Sequence, residues 1–145
     1  MSKSHSFSLC CTLAALLVVQ GAAGAEEARS SAKPEAVVAP LLSKDLAGLP
    51  GKEAVMLTVE YPPGGSSSAH RHDANVFVYV LAGTLRMQVD GAPAVTLKAG
   101  ETFYENPDDV HRVSANASKT EPVKFLVLML KDKGKPASRP VEQAP

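Results

Sequence analysis

The sequence predicts an all-β protein whose antiparallel strands form a barrel or a sandwich. Short apolar segments recur between turns that contain Gly, Pro or Asp, and no stretch after residue 46 shows the apolar stripe of a helix. The chain of 145 residues is long enough for one domain with a real core. Its formal net charge is zero, which argues against nucleic acid as the main partner.

Residues 1–25 are predicted to be a signal peptide. Lys3 adds positive charge at the start, and residues 7–19 form an apolar run that is short for a membrane span. Ala23-Gly24-Ala25 has the small-x-small form of a cleavage site, so we expect cleavage before Glu26. An uncleaved N-terminal anchor is the alternative. The prediction implies a periplasmic or secreted protein with no membrane contact after cleavage.

Removal of this peptide would simplify the chemistry of the mature chain. It would remove both cysteines, Cys10 and Cys11, so that neither a disulfide nor a thiolate metal site is expected. It would also remove His5. The remaining histidines are His70, His72 and His111.

The remaining chain divides into three predicted parts. Residues 26–45 are expected to be a flexible leader, residues 46–131 the folded domain, and residues 132–145 a flexible tail. Within the leader, residues 41–46 could form a short strand or a helical turn. Asp90-Gly91 is a strong hairpin signal. Strands are predicted at residues 54–61, 76–81, 85–89, 94–97, 102–105, 110–113 and 123–130.

The histidines carry the clearest functional signal. His70 and His72 are one residue apart on a predicted strand, so their side chains project from the same face. The segment from Gly64 to Gly83 resembles the first motif of the cupin superfamily, with both histidines at the family spacing. The family's glutamate is missing, because Val76 stands at its place.

A second segment completes the resemblance. From Gly100 to Asn116 the sequence is similar to the second cupin motif, with His111 eleven residues after the glycine. Pro107 and Asn116 each lie one place later than the family pattern has them. The resemblance covers about residues 46–131 and implies a jelly-roll, or double-stranded β-helix, barrel. It also implies a divalent transition metal bound by the histidines.

The missing glutamate leaves three alternatives, because neither Val76 nor Phe77 can bind a metal. The site could use three histidines with water in the open positions, recruit a carboxylate from elsewhere, or be empty. Glu105 is the candidate carboxylate, because a predicted turn at residues 106–109 folds it back beside His111 in a hairpin. An outward-facing Glu105 is the alternative. The predicted metal ligands are His70, His72, His111 and Glu105.

Other polar side chains are weaker candidates for the site. Asp73 follows the histidine pair and could hydrogen-bond to a ligand, although a solvated turn residue is the simpler interpretation. Four further side chains could either line a pocket or lie on the surface: Tyr79, Arg86, Gln88 and Tyr104.

The resemblance implies several functions. Imidazole ligands suit Fe, Ni, Cu or Zn, and a carboxylate ligand would add Mn. Such a site implies a small metal-dependent dioxygenase or isomerase acting on a compact organic substrate. The alternative is a non-catalytic module that holds a metal or a small ligand, and a third possibility is a metal-free protein whose surface serves a partner. Small cupins pair through sheet edges, so a homodimer is expected.

Overall fold

The structure is a computed structural model that describes residues 35–141. Within that range the chain forms strands and no helix, and no helix there is long and apolar enough to cross a membrane. The predicted signal peptide lies outside the described residues. The strands are β1 (Val37–Asp45), β2 (Lys52–Tyr61), β3 (Ser66–Ser67), β4 (His70–Arg71), β5 (Ala74–Ala82), β6 (Thr84–Val89), β7 (Val95–Lys98), β8 (Thr102–Glu105), β9 (Val110–Asn116), β10 (Val123–Asp132) and β11 (Arg139–Pro140).

The strands form two antiparallel sheets with the core between them. One sheet has the order β1-β2-β10-β5-β8, and the other has the order β11-β4-β9-β6-β7 with β3 beside β9. Apolar side chains from both sheets make one buried cluster, which includes Val59, Val78, Leu85, Met87 and Phe125. The all-β, antiparallel prediction is therefore confirmed.

Strand β10 occupies the middle of its sheet, between β2 and β5. Its side chains alternate between buried and more exposed, as the two-residue period of a strand requires. Four of the buried side chains, spaced two apart, are Val123, Phe125, Val127 and Met129. The predicted strand at residues 123–130 thus crosses the core, as expected.

Gly83 joins β5 to β6 and cannot be replaced without distortion. Its φ of +79° is one that side-chain-bearing residues rarely adopt. A Cβ at this position would also lie 2.4 Å from the carbonyl oxygen of Pro122. Both the backbone conformation and the lack of space therefore explain the glycine that ends the first motif.

One of the two predicted hairpins is correct and the other is wrong. The Asp90-Gly91 turn connects β6 to β7, which pair antiparallel as expected. The turn after Glu105 connects β8 to β9, but these strands belong to different sheets: β8 pairs with β5, and β9 pairs with β6. The chain crosses from one sheet to the other at this turn, so no hairpin forms.

The structure also differs from expectation at both ends of the described chain. Residues 37–45, expected to lie in a flexible leader, form β1 and pair with β2 along their length. Residues 41–46, for which a strand or a helical turn was possible, lie mostly in that strand. In the expected tail, Arg139 and Pro140 form β11 and pair with β4. Backbone pairing, with the next strand for β1 and with the distant β4 for β11, orders these proline-containing segments, and their composition does not reveal it.

A buried ion pair stabilises the sheet edge where β1, β2 and β10 meet. The ammonium group of Lys131 lies 2.5 Å from the carboxylate of Glu53, and both residues are buried. The Ser43 hydroxyl and the Gly134 backbone N–H donate to the same carboxylate. The hydrogen bonds from Lys131 and Gly134 lower the pKa of Glu53 to about 2.

We expect Glu53→Gln to lower the melting temperature at pH 7. The folded-state pKa of Glu53 is depressed, so its stabilisation is present above the ordinary value of 4.5 and is lost as the pH falls towards about 2. The difference from the parent protein should therefore shrink in thermal melts at acid pH. Glu60→Gln is the control, because Glu60 pairs with Lys124 in solvent at 3.5 Å and should matter little. Equal melting temperatures for both variants would contradict this role.

Candidate metal centre

Backbone pairing brings the three histidines together. His70 on β4 lies directly opposite His111 on β9, and His72 follows β4 by one residue. One ring nitrogen from each histidine lies within 4.8 Å of the others. The side chain of His111 is 3% exposed and that of His72 is 12% exposed, so the cluster is shielded from solvent.

Two of these imidazoles are oriented by backbone carbonyls. The Nδ1 atom of His70 lies 2.8 Å from the Ser68 oxygen, and that of His72 lies 2.6 Å from the Ala137 oxygen. A carbonyl oxygen only accepts hydrogen bonds, so each Nδ1 carries the proton and each neutral ring keeps a free lone pair on Nε2. These two Nε2 atoms lie 3.0 Å apart. Two lone pairs at that separation repel each other unless a proton or a cation lies between them.

The geometry fits a bound metal ion. Two nitrogen ligands at about 2.1 Å from a metal, separated by a right angle, lie about 3.0 Å apart. The observed distance between the Nε2 atoms of His70 and His72 equals that spacing. His111 is also buried, and neither of its ring nitrogens has a hydrogen-bond partner. A metal would satisfy one of these two buried nitrogens, and leaving a buried nitrogen without a partner destabilises the fold.

Glu105 faces the histidines. It is 2% exposed, and it lies directly across from Val76 in the pairing of β8 with β5. Cross-strand neighbours project from the same face of a sheet, so this carboxyl group enters the space next to the position where the family has its glutamate. Its Oε2 atom lies 3.2 Å from Nδ1 of His111 and 3.9 Å from Nε2 of His72, and has no hydrogen-bond partner.

Burial controls the protonation of this cluster. It raises the pKa of Glu105 to about 8, and the Asp109 carboxylate adds to the rise. Burial likewise lowers the pKa of His111 to about 3, with His70 and His72 contributing, and it lowers the pKa of His72. Without a metal, Glu105 and His111 are therefore both neutral at pH 7, and their contact is not an ion pair.

The segment from Gly134 to Val141, here called the strap, runs across the site. It provides the Ala137 carbonyl oxygen, which accepts a hydrogen bond from His72, and its strand β11 pairs with β4. Arg139 binds the carboxylate of Asp73 at 2.9 to 3.1 Å, in a partly exposed pair. The polar partner of the Asp73 carboxylate is thus Arg139 and not a histidine, and this pair holds the strap against the loop after β4.

Removing the strap should weaken metal binding. A chain that ends at Lys135 loses the acceptor that orients His72, and loss of such a hydrogen bond typically lowers metal affinity about 10- to 100-fold. Competition with a chromogenic chelator measures the affinity. A chain that ends at Val141 is the control, since it keeps β11 and should bind as the full chain does. Equal affinities for the two truncated chains would show that the strap does not orient the ligand.

The histidines lie at the wall of a cavity of about 360 Å³ between the two sheets. A β-bulge in β9 shapes this wall: Val89 pairs with His111 and Gln88 with Val113, so Arg112 is the extra residue. The bulge shifts the alternation, and His111 and Ser114 are both buried although they are three residues apart.

Several residues differ from the sequence-based expectation. The four weaker candidates do not line the cavity: Tyr79, Arg86, Gln88 and Tyr104. Tyr79 and Tyr104 are more than 40% exposed. The cavity does include residues that the sequence did not single out: Tyr61, Ser67, Ser114 and Ala137. No sequence signal marks Ala137, since its contact is a backbone oxygen 65 residues from its partner.

Fold and site together define a small β-barrel protein with a buried cluster of histidines suited to a metal. A family model described as "Cupin domain" matches residues 57–129, which include all three histidines. The chain therefore belongs to the cupin superfamily, as the two motifs predicted. No curated protein matches its sequence.

Solved structures confirm the fold. An uncharacterized conserved protein from Klebsiella pneumoniae with a double-stranded β-helix domain has a TM-score of 0.57 at 19% identity, covering 73% of this chain and 84% of that one. An oxalate oxidase in complex with the substrate analogue glycolate has a TM-score of 0.54 at 26% identity, covering 68% of this chain and 52% of the oxidase. The DMSP lyase DddQ of Ruegeria pomeroyi has a TM-score of 0.52 at 22% identity, covering 59% of this chain and 42% of the lyase. This chain thus spans about half of each of these two enzymes.

Proposed function

We propose that this protein binds a divalent transition metal (Fe, Ni, Mn, Cu or Zn) through His70, His72 and His111, and acts on a small organic molecule as a dioxygenase or an isomerase. The observation that supports this most directly is the 3.0 Å separation of the two Nε2 atoms, whose rings are fixed by carbonyl acceptors. Among its structural relatives, an oxalate oxidase and a DMSP lyase are enzymes.

Each group of the chain has a defined part in this proposal. A bound divalent metal would supply Lewis-acid polarisation of a substrate oxygen. The histidines hold the metal, and the strap keeps His72 in the binding orientation. The apolar walls of the cavity exclude water from the substrate.

Glu105 has two possible roles here. As a fourth ligand it would replace the family's glutamate from the neighbouring strand, with its carboxylate deprotonated by the metal. As a general base it would stay off the metal and, once ionised, accept a proton at Oε2; its raised pKa of about 8 makes it a stronger base but leaves most of it protonated at pH 7. Its position 3.2 Å from His111 permits either role.

The alternative function is a non-catalytic module that holds a metal or a small ligand. The absence of the family's glutamate at Val76 favours this second candidate. The same cavity would then serve for storage or sensing of the ligand.

Metal analysis tests the proposal first. Protein purified without chelator should contain close to one equivalent of a transition metal, or should take one up. Less than about 0.1 equivalent, not restored by any added cation, would overturn both metal-based functions. Oxygen consumption by the metal-loaded protein with thiols, diketones and flavonols then distinguishes a dioxygenase from a binding module.

We further propose a periplasmic or secreted homodimer. The pattern of residues 1–25 supports secretion, and mature protein that begins at Glu26 would establish it. Strand β1 supports the dimer: it lies at the edge of its sheet and is exposed along its length. Its exposed apolar side chains, Val37, Val38, Leu41 and Leu42, would be covered by a second copy. A monomeric mass by light scattering would contradict this.

A further inference from the structure

The cavity contains a second polar group besides the histidines. We call Tyr61, Ser67 and Ser114 the hydroxyl cluster; all three line the cavity. The Tyr61 hydroxyl and the Ser114 Oγ lie 2.9 Å apart and satisfy each other. Ser67 lies directly opposite Ser114 in the pairing of β3 with β9, yet its Oγ is buried without a partner. This hydroxyl is therefore free to bond to a ligand, and leaving it unpaired costs free energy.

Apart from the histidines, the hydroxyl cluster, Glu105, Ser68 and Ser138, the side chains that line the cavity are apolar. They come from both sheets and include Val59, Val78, Met87, Phe125 and Val127. Among the described residues that line the cavity there is no Lys or Arg, and Glu105 is the one carboxyl group. A charged group placed away from the metal would find no partner of opposite charge here. Burying such a group without a partner costs several kcal/mol.

We propose that this cavity selects a compact ligand with a metal-binding oxygen at one end and an uncharged remainder. The ligand's far end carries a hydroxyl or carbonyl group that hydrogen-bonds to Ser67, and its apolar body lies against the walls. A volume of about 360 Å³ lies at the lower end of the range for small-molecule sites. The metal-binding end of this inference rests on the proposed function; the selection against charge rests on the cavity walls alone.

This selection is against particular ligand classes. Phosphorylated sugars, and dicarboxylates too long for both carboxylates to reach the metal, carry a second charge that would lie against the apolar walls. Phenols, enols and diketones present oxygen ligands to a metal and keep an uncharged body. The latter group therefore fits both ends of the cavity.

The test compares two ligands that differ in charge at the far end. Benzoylacetone with a para-hydroxyl group and benzoylacetone with a para-carboxylate group bind metals through the same diketone. Calorimetry on the metal-loaded protein should show at least about tenfold tighter binding of the hydroxyl compound, because the carboxylate is desolvated where no positively charged side chain faces it and the Ser67 hydroxyl alone does not offset that cost. Equal affinities, or tighter binding of the carboxylate, would overturn the proposal.

Substitutions at β3 test the role of Ser67. Ser67→Ala should weaken binding of the hydroxyl compound about 3- to 10-fold, which is the usual value of one net hydrogen bond. Ser66→Ala is the matched control, since Ser66 is on the same short strand and does not line the cavity. An unchanged affinity in the Ser67 variant would contradict a hydrogen bond at this end.

A failure of the charge selection can be distinguished from a failure of the proposed metal binding. Metal content is measured in the same samples, and its absence overturns the proposed function only. The charge selection is then tested on metal-free protein with para-cresol and para-toluate, which share a shape and differ in charge. Preference for para-cresol supports the inference, and preference for para-toluate or no discrimination contradicts it.

Discussion

His111→Ala is expected to lower the affinity for divalent metals at least about 100-fold, because it removes a ligand and not merely a hydrogen bond to one. His111 comes from the second motif, while His70 and His72 lie close together in the first. The variant therefore keeps only one local pair of ligands. Affinity is measured by competition with a chelator, and circular dichroism confirms that the strands are retained.

Arg112→Ala is the control for this substitution. Arg112 is the bulge residue next to His111, and its guanidinium binds Asp90 on the outer surface. It should change metal affinity by less than about twofold, since an exposed ion pair contributes little. If the His111 variant bound metal as tightly as the Arg112 variant, the two motifs would not share one site.

Glu105→Gln is expected to have opposite effects on the two forms of the protein. In the metal-loaded form it should weaken metal retention at least about tenfold if Glu105 is a ligand. In the metal-free form it should raise stability at alkaline pH. Burial raises the pKa of Glu105 from 4.5 to about 8, so the folded state holds a proton that the unfolded state has released.

The sign of this pH dependence follows from the proton count. The raised pKa of Glu105 alone makes the folded protein less stable as the pH rises from 4.5 to about 8. Up to pH 6.5 the lowered pKa of His111 offsets this loss, because the unfolded histidine binds a proton that the folded one does not. The metal-free protein should therefore lose stability from about pH 6.5 to about 8, by about 1.4 kcal/mol per pH unit at most. Thermal melts across this interval should show the loss in the parent protein and not in the glutamine variant. Glu101→Gln, in the turn before β8, is the control and should retain the loss. A parent protein whose stability is flat over this interval would contradict a raised pKa.

Unchanged metal retention in the Glu105 variant would exclude the ligand role and leave the general-base role to be tested. If Glu105 is a base that does not touch the metal, Glu105→Gln should lower turnover while the metal content stays at one equivalent.

The fold was largely predictable because its evidence is local. Alternating apolar residues, turns such as Asp90-Gly91 and two glycine–histidine motifs lie within short segments of the sequence. The same holds for the histidine cluster, because the His70–His72 spacing and the distance from Gly100 to His111 both match the motifs of the family.

The parts that the sequence got wrong or left open depend on how the strands pair. The predicted hairpin after Glu105 is wrong because neighbouring strands in the sequence can belong to opposite sheets, as β8 and β9 do. The inward orientation of Glu105 required its register against Val76, which no local pattern determines. The proline-containing strap is ordered by pairing with the distant β4, and the proline-containing β1 by pairing with its neighbour in the sequence, β2.

The strap also determines when the binding site can form during folding. Ala137 orients His72 from 65 residues further along the chain, and β11 pairs with the strand that carries His70. Contacts of such long sequence separation form late, because the intervening chain must first be ordered. The complete ligand set therefore arises only after the strap has docked. Tight metal binding would then indicate that folding is complete, because a partly folded chain would bind the metal weakly.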